Sequence, residues 1–200
     1  TDIPAILLEI GFISNKRDPR FFDLYKMNVG EWKEEMIWEN KDGLDYAGAS
    51  RDRSFIATVK SITTSESRLF VTNLASGETM EVSEPDKPGL YSASGFTLDN
   101  AGFFYTTDAG KEFTYLVRYD LATGQREVVY ETDWDVTGSW LSRNEKYRII
   151  GINEDGRIQL KITDLSTGEP VKYPELPGAS INGLSISDSE KYMLLNLGTS

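Results

Sequence analysis

Apolar, strand-like stretches alternate with short polar turns along the whole chain. No segment sustains the 3.6-residue spacing of apolar positions that is typical of an amphipathic helix. Thr, Tyr, Phe, Val and Ile, which favour strands, are plentiful between the turns. The pattern therefore predicts an all-β protein built from antiparallel strands.

One type of turn recurs four times. In each copy a strand-like stretch ends in Asn or Asp, a leucine or valine follows, and a glycine closes the turn. The copies are 28–30, 73–77, 120–124 and 164–168. The steps between their Asn or Asp residues are 45, 47 and 44 residues. Glycine adopts the positive φ of a turn with a bulge without steric cost, so these are predicted hairpin turns.

A second series of turns keeps the same period. Each copy is a polar turn followed by an aromatic residue that opens an apolar strand. The copies are Ser50–Phe55, Leu98–Phe103, Ser142–Tyr147 and Ser187–Tyr192, with steps of 48, 44 and 45 residues. A four-stranded propeller blade needs roughly 40–50 residues. The two series together predict a β-propeller with about four blades of four antiparallel strands, forming a partial ring.

The repeat also predicts where each blade lies. The blades are expected at about 4–40, 45–84, 92–131 and 137–176, and a fifth is expected to begin at about 181–200. An open arc of blades leaves unpaired strand edges exposed. We therefore expect this segment either to lie within a longer ordered chain or to self-associate through its open ends.

Composition excludes several classes of function. The net charge of −11 argues against nucleic acid, because phosphate binding requires clustered Lys and Arg. No run approaches the roughly 18 apolar residues of a membrane span. The chain has no cysteine, which excludes a disulfide framework, a thiol nucleophile and a thiolate metal site. Lack of cysteine fits reducing and oxidising compartments alike, so localisation stays open.

The absence of histidine says more about chemistry. A Ser-His-Asp triad needs an imidazole to accept the serine proton. The usual zinc sites need histidine too, and the nucleophile motif Gly-x-Ser-x-Gly and the phosphate loop are both missing. The stretch 153–157 fits a hairpin turn better than a calcium loop. We expect no cofactor, no metal and no catalytic residue within this segment.

Two groups of charged residues are candidates for substrate binding. Asp133 and Asp135 can share one face where the third blade passes into the fourth, at the mouth of a central tunnel. Arg17 and Arg20 lie in a basic, proline-bearing loop and can contact a carboxylate in bidentate fashion. Each group also has a structural alternative. The aspartates can form a solvated edge, and the arginines can form ion pairs that order a hairpin loop.

Several segments carry a family resemblance. Asn15–Met27, Asp108–Asp120 and the two repeated turns resemble the propeller of the prolyl oligopeptidase (S9) family of serine peptidases, and TolB-type propellers share the repeat. The resemblance implies a seven- or eight-bladed propeller that caps an α/β-hydrolase domain and admits only short peptide substrates. The catalytic residues would then lie outside this segment. The alternative is a TolB-like propeller that binds proteins and has no peptidase activity.

Overall fold

A computed structural model describes residues 11–14, 18, 21–27, 30, 32–175 and 179–199. Every regular element in these ranges is a β-strand, and the strands form five antiparallel sheets. No helix in the described ranges is long and apolar enough to cross a membrane. The prediction of an all-β protein is confirmed.

The strands follow one another from sheet to sheet in chain order. The first sheet contains β1 (Gly11–Ser14), β2 (Phe22–Met27) and β3 (Glu34–Trp38). The second contains β4 (Asp45–Ala49), β5 (Phe55–Ser61), β6 (Ser67–Asn73) and β7 (Thr79–Glu81). The third contains β8 (Tyr91–Phe96), β9 (Gly102–Thr107), β10 (Tyr115–Asp120) and β11 (Arg126–Tyr130). The fourth contains β12 (Asp135–Leu141), β13 (Tyr147–Glu154) and β14 (Arg157–Asp164), and the fifth β15 (Ala179–Ile186) and β16 (Met193–Thr199).

Each sheet is a simple meander in which a strand pairs with the next one along the chain. The second and third sheets have the expected four strands. The fourth sheet has three, because the segment after β14 pairs only through one bridge between Thr163 and Pro170 and one bond from the Val171 N–H to the Ile162 carbonyl. Proline has no N–H to donate to a ladder, so this fourth strand does not develop.

The second, third, fourth and fifth sheets pack on one another in succession, and the third sheet is covered on both sides. Phe103 and Tyr105 on β9 lie in the core shared with the second sheet, which includes Leu69. Phe104 points the opposite way and packs against Ile150 of the fourth sheet. Successive side chains of a strand alternate between faces, so one strand supplies two cores. Every residue of β9 is buried as a result.

The Asn or Asp that ends the third strand of the second and third sheets orders the turn that follows it. Asp120 Oδ1 accepts hydrogen bonds from the N–H groups of Ala122 and Thr123. Gly124 follows with a φ of 71°, as the predicted turn requires. Asn73 makes the equivalent bonds to Ala75 and Ser76.

The stretch 153–157 forms a hairpin. β13 and β14 pair directly up to Glu154 and Arg157, so only Asp155 and Gly156 form the turn. Both have positive φ, 49° and 75°, as a type I′ turn demands.

Candidate functional site

The second, third and fourth sheets converge along their first strands. β8 contacts β4 on one side and β12 on the other. The last strands β7 and β11, by contrast, contact only their own sheets within the described residues. The sheets thus spread like a fan around one line, and we call β4, β8 and β12 together the axial edge.

Every strand of the axial edge contains a β-bulge next to a glycine. The pairing register shifts between Tyr46 and Gly48, between Ala93 and Gly95, and between Val136 and Gly138. β15 repeats the feature at Gly183. A bulge twists an edge strand and so hinders unwanted pairing along its free side. Sequence reasoning missed this feature, although the four glycines recur at steps of 47, 43 and 45 residues.

Four loops with the same hydrogen-bond pattern follow β4, β8, β12 and β15 at one end of these strands. We call them the mouth loops (50–55, 97–102, 142–147 and 187–192). The first residue of each uses its side-chain hydroxyl to accept the N–H of the sixth residue. Ser50 does so from Phe55 at 3.0 Å, and Ser142 from Tyr147 at 2.8 Å. The fourth residue of each loop has positive φ, from 55° to 66°.

The second mouth loop begins one residue earlier than the repeat in the sequence indicates. The residue in the capping position is Thr97, whose Oγ1 accepts the Gly102 N–H at 2.9 Å. The sequence pattern places Leu98 in this position, because Phe103 matches the aromatic residue of the other copies. Leucine has no hydroxyl to make this bond, and Gly102 takes the place that an aromatic residue has elsewhere.

In three of the four mouth loops, the fourth residue reaches sideways to the preceding sheet, whereas Arg53 bonds to Ser50 within its own loop. Asn100 Nδ2 donates to Asp52 Oδ2 at 2.8 Å and to Ser54 Oγ at 3.1 Å. Glu145 Oε1 accepts the Leu98 N–H at 2.6 Å. Glu190 accepts the hydroxyl of Ser142 at 2.6 Å. The second, third, fourth and fifth sheets are therefore tied in succession by polar side chains at this end.

Hydrogen bonds in the mouth loops lower the pKa of two of their carboxylates, Asp52 and Glu190. The N–H of Ser54 and the hydroxyls of Ser50 and Ser54 lower the pKa of Asp52 to about 2. The Ser142 hydroxyl and the Asn144 N–H lower the pKa of Glu190. Hydrogen bonds to a carboxylate favour its charged form.

The second residue of each mouth loop faces solvent instead. These residues are Arg51, Leu98, Arg143 and Asp188. Arg51 Nη1 donates to the carbonyl oxygen of Arg143, in the mouth loop of the fourth sheet. Arg143 Nη1 lies 3.0 Å from Asp188 Oδ2. The sequence analysis did not single out Arg51 or Arg143. Both occupy the second position of a repeated turn, and this shared position could have indicated them.

The predicted aspartates lie at the opposite end of the axial edge. Asp135 Oδ1 accepts the N–H of Thr114 at 3.0 Å and its hydroxyl at 3.3 Å, which ties the start of β12 to the third sheet. Asp133 is exposed and borders a shallow cavity together with Lys111 and Glu131. Arg17 and Arg20 lie outside the described residues.

No protein-family model and no curated protein matches the sequence. Solved structures do resemble the chain. TolB from Acinetobacter baumannii is 17% identical, with a TM-score of 0.60 over 89% of this chain and 49% of that one. Prolyl oligopeptidase B from Galerina marginata, bound to a 35mer hydrolysis and macrocyclization substrate, is 13% identical, with a TM-score of 0.63 over 88% of this chain and 26% of that one.

A structure from work on two prolyl endopeptidases is 17% identical, with a TM-score of 0.53 over 88% of this chain and 36% of that one. This chain thus spans about half the length of the TolB structure and less of the two peptidases. At these identities the likeness establishes the fold. The chain is a β-propeller segment, and its sheets form an open arc.

Proposed function

We propose that this chain is the non-catalytic propeller segment of an S9-type serine peptidase. In this role it admits short peptides along its axis and holds them for an α/β-hydrolase domain. The observation that carries the proposal is the axial edge, whose strands begin or end near charged groups, in a chain that has no histidine to complete a triad. The chain has no histidine and no cysteine, so in this proposal the triad lies outside residues 1–200.

The comparisons support this role only through the fold. Two of the neighbouring structures are prolyl peptidases, and the chain aligns with 26% and 36% of their lengths. A segment of that size leaves room for a separate catalytic domain in the full polypeptide. Function depends on the site and not on the fold, so the activity has to be tested on the full-length protein.

The test is to treat the full-length polypeptide with a fluorophosphonate probe, which labels activated serine nucleophiles. We expect labelling outside residues 1–200, together with hydrolysis of short peptides but not of folded proteins. A Ser→Ala change in the Gly-x-Ser-x-Gly motif of the hydrolase domain is the control and should abolish labelling. A full-length sequence without such a motif, or one that takes no label, would refute the peptidase role.

The second candidate is a TolB-like propeller that binds proteins and has no peptidase activity. The favouring observation is that the chain aligns with 49% of the TolB structure, a larger share than for either peptidase. This function predicts no hydrolase domain in the full-length sequence and no fluorophosphonate label. The same experiment therefore separates the two candidates.

The fifth sheet offers an edge for a further partner. β16 pairs with β15 on one side and has no second strand partner among the described residues. Leu194 and Leu197 on this strand are 70% and 43% exposed. We propose that this edge pairs with a further strand, from the same polypeptide or from a second copy. Light scattering that shows residues 1–200 as a well-folded, strictly monomeric species would contradict this.

A further inference from the structure

A cavity lined mainly by aromatic and aliphatic residues lies between the first and second sheets, and we call it the aromatic cavity. Its volume is about 320 Å³. The described residues that line it are Phe22, Leu24, Trp38, Leu44, Asp45 and Tyr46. Ligand sites typically measure about 300–1,000 Å³, so this cavity suits a small ligand. It lies at the beginning of β4, whereas the mouth loop 50–55 follows the end of that strand.

The register of the first sheet places three of the lining residues on one face. Phe22 and Leu24 are two positions apart on β2, so their side chains point to the same side. Leu24 pairs with Trp38 of β3, which puts the Trp38 side chain on that side as well. Leu24 is almost completely buried, whereas Phe22 is 49% exposed. The aromatic cavity therefore has a closed, apolar floor and opens to solvent near Phe22.

Hydrogen bonds fix the connection between the two sheets beside the cavity. The Asp23 carboxylate on β2 accepts the Asn40 N–H at 2.8 Å. The Asn40 side chain accepts the Leu44 N–H at 2.9 Å and donates to the Leu44 carbonyl oxygen at 2.7 Å. All three residues are buried, and Leu44 directly precedes β4. The two walls of the cavity are thus held relative to each other, and a preorganised site loses less free energy to ordering when a ligand binds.

One carboxylate borders this otherwise apolar cavity. Asp45 is exposed at the start of β4, next to Tyr46. No cationic side chain forms an ion pair with Asp45 in the part of the chain that the structure describes. The Asp23 carboxylate, by contrast, is buried and bonded to the Asn40 N–H. The charge at the aromatic cavity therefore favours a cation.

The lining residues favour a cation that carries methyl groups. The face of an aromatic ring is negative and attracts a cation, and three aromatic residues border this cavity. A primary ammonium group has three N–H donors, and burying them without acceptors costs free energy. Among the lining side chains named above, only those of Asp45 and Tyr46 carry an acceptor oxygen. A trimethylammonium group has no N–H donor, and its methyl groups suit the apolar floor.

We propose that the aromatic cavity is a binding site for a small quaternary ammonium compound. The trimethylammonium group lies among Phe22, Trp38 and Tyr46, and the nearby Asp45 carboxylate offsets its charge. This inference does not depend on the proposed function, because the site is separate from the mouth loops and contains no group that acts on a peptide bond. It applies equally to a peptidase propeller and to a protein-binding propeller.

The experiment is an NMR titration of the full-length polypeptide with four alcohols of the same chain length. Ethanolamine, N,N-dimethylethanolamine and choline are all cations at neutral pH and differ in the number of methyl groups on nitrogen. The fourth, 3,3-dimethylbutan-1-ol, has the shape of choline with a carbon atom in place of the charged nitrogen. We expect choline to bind about tenfold more tightly than the neutral alcohol, as cation–π contacts of this kind provide. Affinity should also rise from ethanolamine to choline.

A pair of tryptophan variants tests whether binding occurs in this cavity. W38L should weaken choline binding about tenfold, because it removes an aromatic face from the site. W32L is the matched control, since Trp32 is 69% exposed and lies before β3, whereas Trp38 ends that strand. It should leave the affinity unchanged. Thermal unfolding checks that each variant is folded, and the series of alcohols on the parent protein needs no variant.

A pair of aspartate variants tests the charge. D45N should weaken choline binding up to about fivefold, as for the loss of one exposed ion pair, and should leave binding of 3,3-dimethylbutan-1-ol unchanged. D155N is the control, since Asp155 is exposed in the hairpin turn between β13 and β14. It should bind both compounds as the parent does.

Each other outcome overturns the inference. If choline and the neutral alcohol bind equally, the cavity selects apolar shape and not a cation. If ethanolamine binds as tightly as choline, the site recognises N–H donors and not methyl groups. If no compound binds, or if W38L binds choline as the parent does, the assignment to the aromatic cavity is wrong. Fluorophosphonate labelling of the parent protein is unaffected by any of these results, so the proposed function is tested separately.

Discussion

The carboxylate of Glu190 accepts a hydrogen bond of 2.6 Å from the hydroxyl of Ser142, although the two residues are 48 positions apart. A second bond, from the Asn144 N–H at 2.7 Å, reaches the same oxygen. Asn100 makes the equivalent connection two sheets earlier, to Asp52 and Ser54. The mouth loops thus hold successive sheets together by side chains that occupy one position of the repeat.

Replacing Glu190 should loosen the fifth sheet locally. Without the carboxylate, the Ser142 hydroxyl and the Asn144 N–H lose their acceptor, and this end of β15 and β16 loses its tie to the fourth sheet. In E190A we expect faster amide hydrogen exchange in β15 and β16 and unchanged exchange in β9. E169A, at an exposed turn residue, is the control and should leave both regions as they are. Equal exchange in E190A and the parent would contradict the role of this bond.

Acid should weaken the second sheet's mouth loop through Asp52. Its folded-state pKa of about 2 lies below the ordinary value of 3.8, so the ionised carboxylate favours the folded state. This stability is fully present above pH 3.8 and is lost as the pH falls towards about 2. Carbon-13 NMR of the Asp52 carboxyl should show a midpoint near 2. A midpoint at or above 3.8 would mean that the Ser50, Ser54 and Asn100 bonds do not form in solution.

The core between the second and third sheets should depend strongly on Phe103. Its side chain is fully buried, and its ring centroid lies 4.6 Å from that of Phe96. F103A should lower the free energy of unfolding by about 3–5 kcal/mol, because the cavity cannot close completely. V128A, at a residue that is 49% exposed, should change it by less than about 0.5 kcal/mol. Denaturant unfolding measures both, and similar values for the two variants would argue against face-to-face packing here.

The bulge glycines should differ in how they tolerate alanine. Gly95 has a φ of 131°, which an L-residue rarely adopts, so G95A should cost about 1–3 kcal/mol of stability. Gly183 occupies the same bulge position in β15 without such a φ, and its nearest neighbour would be 3.8 Å away. G183A should therefore be nearly neutral. Thermal unfolding measures the loss of stability in both variants. Equal losses would mean that glycine is required by the space for a side chain and not by backbone strain.

Local features of the chain were predictable because their causes lie within a few residues. Asp120 and Gly124 define a turn through bonds to their own loop, so the spacing alone revealed it. The first residue of the second mouth loop was misplaced by one position, because the aromatic Phe103 was a stronger signal than the hydroxyl of Thr97. In the fourth sheet, the predicted fourth strand does not form beyond one bridge at Pro170, because proline has no N–H to donate.

Contacts between sheets were not predictable, since they depend on how the arc curves. The bond between Arg51 and Arg143 joins residues 92 positions apart, and no local pattern indicates it. Asp135 was singled out for its charge, yet its structural bond to Thr114 depends on the packing of the third sheet on the fourth. The role of Arg17 and Arg20 in substrate binding stays a prediction.

Crosslinking of cysteine pairs tests most directly whether the sheets follow one another around a common axis, since the natural chain has no cysteine. In S54C/N100C the two side chains come from neighbouring sheets that lie in contact, as they do in S142C/E190C. A short bis-maleimide should join the two thiols within one molecule in each pair, found by mass spectrometry, and should not do so in the control S54C/E190C, whose positions are three sheets apart. Uncrosslinked thiols in the two neighbouring pairs, or an efficient crosslink in the control, would contradict the arrangement.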